Sequence, residues 1–407
     1  MNKDDWREQD DLKILKQYID EDETEKAFEL FIDLSNKTKM IKLMEELIGI
    51  GEYILEKVEG EERGRVLGTL GNLYFNVGKL EDAEKYYLKA LEFYIQLAKK
   101  DESNMKYVAG ALNNLGNLYH VMNKPSEAEK AFKDALTIRE DVGDANELAT
   151  TLSCLGLLYS NIAEFEKAKE YYEKALVTKL NALNKENYLQ NLNDLGTILN
   201  NLGTVYNALK EIDKAEESYK KAIEVYEELL KHDERVEDLL CGALNNLASL
   251  YIDCGELDRA QRLIDRIKKY ESFLPPDLRV RVTLNNAKIL ESKDMKKAAE
   301  EYLRAGSMAF ILFRNYGMNT INFIYCFEKV EKIGEGKIKG DANIMKRAML
   351  KTYFGIEKDK EIKEVECSKR GRAILDALKG NFKLEVKNDI DLAAYIIASE
   401  VKKKSGF

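Results

Sequence analysis

A segment of 25 residues occurs five times in the middle of the chain, and this repetition constrains the fold more than any other feature. The copies begin at Leu67, Leu112, Leu152, Leu199 and Leu244. In each copy a small residue stands 12 positions before an alanine, and these small residues are Gly71, Gly116, Gly156, Gly203 and Ala248. Their steps of 45, 40, 47 and 45 residues indicate stacked helical hairpins, in which each hairpin buries its apolar face against its neighbours.

Each position of the repeat has a physical reason. Leu112 and Tyr119 are separated by two helical turns, so they share one face of the first helix. Gly116 lies beside them and permits a second helix to approach closely. Phe132 fills the space one turn beyond the packing alanine of the second helix. The pattern therefore predicts a pair of packed helices in every copy.

The turn inside each hairpin requires a residue that tolerates a left-handed backbone. Gly78, Asn123 and Gly255 stand there in three copies, and these residue types adopt that conformation readily. Ala163 and Lys210 occupy the same position in the other two copies. We expect those two turns to be tighter or strained.

These motifs resemble those of the tetratricopeptide repeat family. The signature is Leu-Gly-x-x-Tyr followed by Ala-x-x-x-Phe/Tyr-x-x-Ala, and it covers residues 62–270. The units exceed the usual length of about 34 residues. With Leu-Asn-Asn-Leu-Gly at 112–116 and Ala-Leu-x-Ile-Arg at 135–139, they are similar to the longer repeats of kinesin light chain. The resemblance implies an all-α, right-handed solenoid of antiparallel helix pairs.

The flanks of the array are less regular. Residues 1–60 fit either a degenerate first repeat or a helical cap, with helices near 5–19, 25–35 and 38–58. Residues 61–306 form the array, with five clear repeats to about 270 and a degenerate sixth at 277–306. In 307–407 the patterns predict one apolar helix over 307–333, a loop at 335–340, strands at 361–367 and 382–387, and helices near 370–378 and 390–402. This region is expected to be a small α+β or helical cap.

Composition excludes several classes of function. The net charge of −9 opposes general binding to nucleic acid or anionic lipid. No apolar run is long enough to span a membrane, and the first residues do not resemble a signal peptide, so we expect a cytoplasmic protein. The five cysteines include no Cys-x-x-Cys pair, and only two histidines are present. The sequence therefore predicts no metal site and no cofactor.

Asparagines recur on the first helix of each pair, beside the packing positions but turned away from them. That helix lines the concave face of a helical solenoid. The candidate groove residues are Asn72, Asn76, Asn113, Asn117, Asn161, Asn200, Asn207 and Asn245, together with His120. An amide carries both a donor and an acceptor, so a row of amides can hold the backbone of an extended peptide. The alternative is that asparagine merely suits exposed positions near loops.

The resemblance implies the same use, because groove asparagines of kinesin light chain hold cargo peptides. Other groove positions have alternative explanations. Asn114, Asn201 and Asn246 could bridge between repeats, and His120 could be an ordinary solvated histidine. No lysine stands at the positions that clamp a chaperone tail in related domains. The sequence thus predicts a groove for a different kind of peptide.

The sequence predicts a protein-interaction scaffold or adaptor that binds a protein or extended peptide, not nucleic acid or a membrane. The alternative is a ligand- or peptide-responsive regulator whose non-repeat ends act on a target. A third hypothesis places an enzymatic or nucleic-acid function in residues 334–407. No catalytic motif supports an enzyme, and the basic cluster Lys369-Arg370-Gly371-Arg372 fits an ordinary solvated helix start.

Overall fold

A computed structural model describes residues 3–38, 40–182, 188–232, 236–316, 323–354, 367–377 and 384–404. Within these residues the regular structure is entirely helical, which confirms the predicted all-α class. The chain divides into two compact units, Met1–Leu209 and Lys210–Phe407.

The N-terminal unit contains ten α-helices in its described residues. They are α1 (Lys3–Asp20), α2 (Thr24–Lys37), α3 (Ile41–Lys57), α4 (Gly60–Asn76), α5 (Leu80–Ala98), α6 (Met105–Val121), α7 (Pro125–Val142), α8 (Ala145–Asn161), α9 (Phe165–Asn181) and α10 (Tyr188–Ala208). The first three helices lie within three residues of their predicted bounds. Helices α4 and α5, α6 and α7, and α8 and α9 form the hairpins that the repeat predicts.

Close packing between the two helices of a hairpin explains the small residue of each copy. A Cβ atom at Gly71, Gly116 or Gly156 would lie 2.4–2.8 Å from an aromatic ring of the second helix. The rings belong to Tyr87, Phe132 and Tyr172, respectively. In the fifth copy the ring is replaced by the smaller Ile264, and the glycine by Ala248. The sizes of the two positions therefore vary together.

A tyrosine–glutamate hydrogen bond connects successive repeats. The pairs are Tyr74–Glu52, Tyr119–Glu84, Tyr159–Glu129, Tyr206–Glu173 and Tyr251–Glu216. In four of the pairs the tyrosine hydroxyl donates over 2.7–2.9 Å. The carboxylate directly follows the packing alanine in three copies, but Lys169 stands there in the third, and Tyr206 bonds one turn further on to Glu173. Four of these tyrosines are buried and Tyr119 is half-buried, and their hydroxyls also fix the repeats to one another.

These hydrogen bonds also shift the pKa values of the bonded groups. Burial, together with the bonded carboxylate, raises the pKa of Tyr159 to about 12. At Glu216 partial burial opposes ionisation, but hydrogen bonds from Lys220, Arg259 and Tyr251 outweigh it and lower the pKa to about 2. The carboxylate is therefore ionised at neutral pH and accepts the tyrosine hydrogen.

Left-handed backbone occurs at all five hairpin turns. The φ angles are +79° at Gly78, +57° at Asn123, +61° at Ala163, +64° at Lys210 and +78° at Gly255. A side chain with a Cβ is strained in this region, and asparagine tolerates it better than alanine or lysine. The turns at Ala163 and Lys210 thus carry the strain that the sequence predicts.

Replacing Ala163 with glycine should stabilise the N-terminal unit by about 0.5–1 kcal/mol, because relief of the left-handed strain exceeds the added entropy of the unfolded chain. The reverse change, Gly78→Ala, has the same geometry and should destabilise by a similar amount. Urea denaturation followed by circular dichroism measures both. A destabilised Ala163→Gly variant would contradict the assignment of strain to this turn.

The C-terminal unit contains nine α-helices in its described residues. They are α11 (Ile212–Leu230), α12 (Glu237–Asp253), α13 (Leu257–Ile267), α14 (Pro276–Leu290), α15 (Met295–Tyr316), α16 (Phe323–Ile333), α17 (Gly336–Phe354), α18 (Lys369–Ala377) and α19 (Asp389–Lys404). Helices α12 and α13, and α14 and α15, form hairpins. Helices α15–α19 share one hydrophobic core.

Two predictions for residues 307–340 are wrong. The helix that contains Ser307 begins already at Met295 and passes through Gly306 without a break. A Cβ at Gly306 would lie 2.9 Å from the Cβ of Cys326, so this glycine permits close packing of α16. The predicted loop at 335–340 is instead the start of α17, whose first residue, Gly336, has a φ of +51°.

The strands predicted near the C-terminus fall mostly outside the described residues. Residues 361–366 and 382–383 are not described, whereas Cys367 and residues 384–387 lie outside any strand. The helices predicted near 370–378 and 390–402 are confirmed as α18 and α19. Among the described residues of this region the regular structure is therefore helical. The division of the chain into 1–60, 61–306 and 307–407 stays a prediction.

Candidate functional site

Two of the predicted groove asparagines are buried between repeats. Asn113 is 6% exposed, and its side-chain oxygen accepts a hydrogen bond from Thr151 on α8 at 3.4 Å. Asn245 is 3% exposed, and its side-chain oxygen accepts a hydrogen bond from the amide of Asn285 on α14 at 3.0 Å. These amides join the first helices of neighbouring repeats, a role that the spacing alone did not separate from groove lining.

The other predicted residues of α4 and α10 are more accessible. Asn72 and Asn76 are exposed on α4, and Asn200 and Asn207 are partly exposed on α10. The hydroxyl of Tyr87 donates to the side-chain oxygen of Asn72 at 2.7 Å. That bond holds the amide of Asn72 at the junction of α4 and α5.

His120 and Asn161 form a contact between the second and third repeats. Their side-chain nitrogens Nε2 and Nδ2 lie 2.8 Å apart. Partial burial lowers the pKa of His120 below its ordinary value, so the ring is neutral at pH 7 and its Nε2 can accept the amide hydrogen. Asn117, one turn earlier on α6, is partly exposed. The predicted residues of this region thus lie together at the ends of α6 and α8.

A groove of the N-terminal unit lies along α4, α5 and α6 and has a volume of about 480 Å³. Its lining also includes residues of α2 and α7, among them Arg139, and Asp144 and Glu147 at the start of α8. We define this α4–α6 groove by six lining residues, Arg65, Gly68, Asn72, Lys106, Gly110 and Asn114. The three on α4 are spaced by three and four residues, and the three on α6 by four, so each set shares one face of its helix. Of these six, only Asn72 is among the nine candidate groove residues named from the sequence.

The missed groove residues had a signal in the sequence. Asn114 is the second asparagine of the Leu-Asn-Asn-Leu motif, for which a bridging role was the alternative. Arg65 and Lys106 occur at helical spacing from the groove glycines, but single charges on an exposed helix are common. The relevant pattern is their combination on adjacent repeats, which becomes visible only when α4 and α6 are placed side by side.

The charged groups of the groove are unequally paired. Arg139 is buried and bonds to the carboxylate of Glu147 and the hydroxyl of Thr151. The Arg65 guanidinium lies 3.6 Å from Glu29 and 4.9 Å from the centre of the Phe28 ring. Lys106 lies over the ring of Tyr107, with its Nζ 4.9 Å from the ring centre.

The basic cluster at 369–372 is engaged within the C-terminal unit. Arg370 Nε lies 2.5 Å from a carboxylate oxygen of Asp391. The buried carboxylate of Asp341 accepts the backbone N–H groups of Ser368 and Gly371, which caps the start of α18. A cavity of about 920 Å³ adjoins this helix and includes Arg372 and Lys387 in its lining.

The described part of the chain carries neither a metal-binding cluster nor a disulfide. No cluster of three or more histidine, cysteine or acidic residues there is arranged to hold a metal ion. The five cysteines are all described, and none is bonded to another. Among the described helices, none combines the length and the apolar character that crossing a membrane requires.

Family comparison agrees with the repeat geometry. The tetratricopeptide repeat description matches residues 64–101, 107–176, 197–229 and 243–270. None of the curated proteins matches the chain in sequence.

Two solved structures with TM-scores above 0.5 have the same fold at low sequence identity. The apo form of the quorum sensor NprR from B. thuringiensis is 15% identical, with a TM-score of 0.55 and coverage of 80% of this chain and 92% of that one. A signal transduction ATPase with a tetratricopeptide repeat sensor, from Pyrococcus horikoshii, is 12% identical, with a TM-score of 0.55 and coverage of 86% and 54%. A putative kinesin light chain from Podosopora anserina is 16% identical, with a TM-score of 0.42 and coverage of 53% and 97%.

At these identities the likeness concerns the fold alone. The matched segments nevertheless coincide with the helical hairpins described above, including the glycine–aromatic packing and the tyrosine of the first helix. The matched segments between residues 64 and 270 therefore consist of tetratricopeptide repeats.

Proposed function

We propose that the chain is a protein-interaction scaffold that holds an extended peptide or protein segment in the α4–α6 groove. The observation that carries the proposal is the placement of two amides, Asn72 and Asn114, on adjacent repeats along a groove of about 480 Å³. Amides that line one groove from two helices can donate to and accept from the main chain of an extended ligand. The proposal assigns the chain no catalytic step.

Differential affinity capture tests the proposal. Bait proteins would be the wild type, Asn72→Ala/Asn114→Ala, and the control Asn181→Ala/Asn315→Ala, whose two amides are exposed on helices outside the groove. We expect the groove variant to lose specific partners that both other baits retain. Its melting temperature should stay near that of wild type, because alanine favours the helix while one hydrogen bond from Tyr87 is lost. Equal capture by all three baits would contradict a role for this groove.

The remaining predicted residues would extend the contact surface of the first helices beyond the α4–α6 groove. These residues are Asn76, Asn117, Asn161, Asn200, Asn207 and His120. Asn113 and Asn245 would act indirectly, because their bonds to the next repeat set the spacing of those helices.

A second candidate function is that of a ligand- or peptide-responsive regulator. It is favoured by the continuous core of α15–α19, which joins the last hairpin directly to the non-repeat helices. Two neighbours of similar fold are described as a quorum sensor and as containing a sensor, although that likeness concerns the fold alone. Hydrogen exchange with and without a captured partner distinguishes the candidates. A regulator should show changed protection in α16–α19, whereas a scaffold should change only near its binding surface.

A further inference from the structure

We infer that the α4–α6 groove binds an acidic extended segment, whose main chain passes over Gly68 and Gly110 while a carboxylate reaches Arg65 and Lys106. This inference rests on the proposed function and specifies the chemistry of its ligand. It assigns the two glycines, and not only the amides, to recognition.

The two glycines lack the packing reason that explains their neighbours. A Cβ at Gly64 or Gly71 would lie 2.4–2.5 Å from a tyrosine ring atom, so no larger residue fits there. At Gly68 and Gly110 an added Cβ would meet no atom within 4 Å. Both stand inside helices, where glycine is less stable than alanine, and neither has a positive φ.

A close approach of another chain would explain glycine at both positions. Without a Cβ, the helix backbone is open, and an incoming main chain can lie in van der Waals contact with it. Gly68 and Gly110 line the same groove on adjacent repeats, one on α4 and the other on α6. Together the two glycines leave a flat surface across two helices. Alanine at both positions would add one methyl group to this surface from each helix.

The neighbouring amide is positioned to recognise a main chain. Because the Tyr87 hydroxyl donates to the side-chain oxygen of Asn72, the Nδ2 group of that amide remains as its donor toward the groove. A peptide carbonyl is the complementary acceptor. Asn114, on α6, supplies a second amide to the lining of the groove.

Charge complementarity favours an acidic ligand. The acids of the groove are used by the chain itself, since Glu147 bonds to Arg139 and Asp144 accepts the N–H groups of residues 146 and 147. Arg65 lies 3.6 Å from the exposed carboxylate of Glu29. The nearby Glu61 carboxylate accepts the hydroxyl hydrogen of Tyr107. Among the described residues no carboxylate forms an ion pair with Lys106 at contact distance, and the exposed Asp101 is near enough for Lys106 to lower its pKa. In a chain of net charge −9, two cations that line one groove would attract a carboxylate.

Selection from a displayed library of random 12-residue peptides tests the inference and requires no identified partner. Peptides enriched on the wild-type chain should contain more aspartate and glutamate than the unselected library. An enriched peptide, synthesised with a fluorescent label, should bind at least tenfold more weakly to Gly68→Leu/Gly110→Leu and to Arg65→Gln/Lys106→Gln. Leucine favours helix, so the first variant should fold, and circular dichroism checks this.

Gly49→Leu provides the matched control. Gly49 is also inside a helix, α3, and an added Cβ there also meets no atom within 4 Å, but the residue lies outside the groove. This variant should bind the labelled peptide as the wild type does. The milder variant Gly68→Ala/Gly110→Ala should melt at a higher temperature than wild type and still bind more weakly, a combination that misfolding cannot produce.

The possible failures are distinguishable. Enriched peptides that bind equally to the leucine variant would overturn the role of the glycines and leave the scaffold proposal standing. Enrichment of neutral or basic peptides would overturn the charge assignment. Absence of any enriched peptide would overturn the inference, and the proposed function would then depend on the separate capture experiment with the asparagine variants.

Discussion

Replacing Phe132 with alanine should lower the free energy of unfolding of the second repeat by about 3–5 kcal/mol, the usual cost of truncating a fully buried aromatic side chain. Phe132 is 1% exposed, and its ring lies against the position that Gly116 leaves empty. The truncation removes dispersion contacts and leaves a cavity that the two helices cannot close. Urea denaturation followed by helical circular dichroism measures the effect.

A double-mutant cycle tests whether this cost belongs to the glycine–aromatic pair. Gly116→Ala alone should cost about 1–3 kcal/mol, because the new methyl group would lie within 3 Å of the Phe132 ring. The combination Gly116→Ala/Phe132→Ile reproduces the natural pair Ala248 and Ile264 of the fifth copy. It should be more stable than the sum of the single changes predicts. Strict additivity would show that the two positions do not share one packing constraint.

The repeat could be predicted from the sequence because its determinants are local. The glycine, alanine and tyrosine positions lie within one hairpin, and their spacing encodes which faces meet. The left-handed turns followed from the same logic, and the structure places Ala163 and Lys210 in the strained conformation. Where the contact stays within 25 residues, spacing and side-chain size are sufficient.

The groove was harder to predict because it depends on contacts between repeats. Asn113 and Asn114 are adjacent in sequence, yet the first is buried against α8 and the second lines the α4–α6 groove. Adjacent residues on a helix point about 100° apart, and which of them faces a neighbouring repeat depends on how the hairpins stack. A single sequence specifies that stacking only indirectly, through residues such as Thr151 that bond across the junction.

The region after residue 306 shows a different reason why the sequence alone could not predict the structure. Gly306 interrupts the repeat pattern, which suggests a boundary, but the helix continues because the glycine accommodates α16. A glycine that ends a helix and one that permits a close helix contact have the same local sequence signal. Only the position of the partner helix separates the two explanations.

We expect a second large loss of stability when a buried cation between the third and fourth copies loses its charged partner. Lys179 is 2% exposed, and its Nζ lies 2.5 Å from a carboxylate oxygen of Asp194 and 3.1 Å from the side-chain oxygen of Asn146. Asp194→Ala would leave the ammonium group buried with a single neutral partner. We expect a loss of about 3–5 kcal/mol, the range for removing one partner of a buried ion pair.

Lys179→Met should lower the free energy of unfolding by less than Asp194→Ala does. This difference between the two variants tests whether burial of the charge dominates. Asp194 is 33% exposed, so after Lys179→Met its carboxylate can still be hydrated, while methionine fills much of the space of the lysine stem. The double variant Lys179→Met/Asp194→Ala should recover much of the stability lost in Asp194→Ala, since no charge then remains buried. Denaturation in low and high salt adds a further check, because a buried pair is screened much less than a surface pair. If Lys179→Met costs more than Asp194→Ala, desolvation of the ammonium group does not dominate at this junction, and the packing of the lysine stem does.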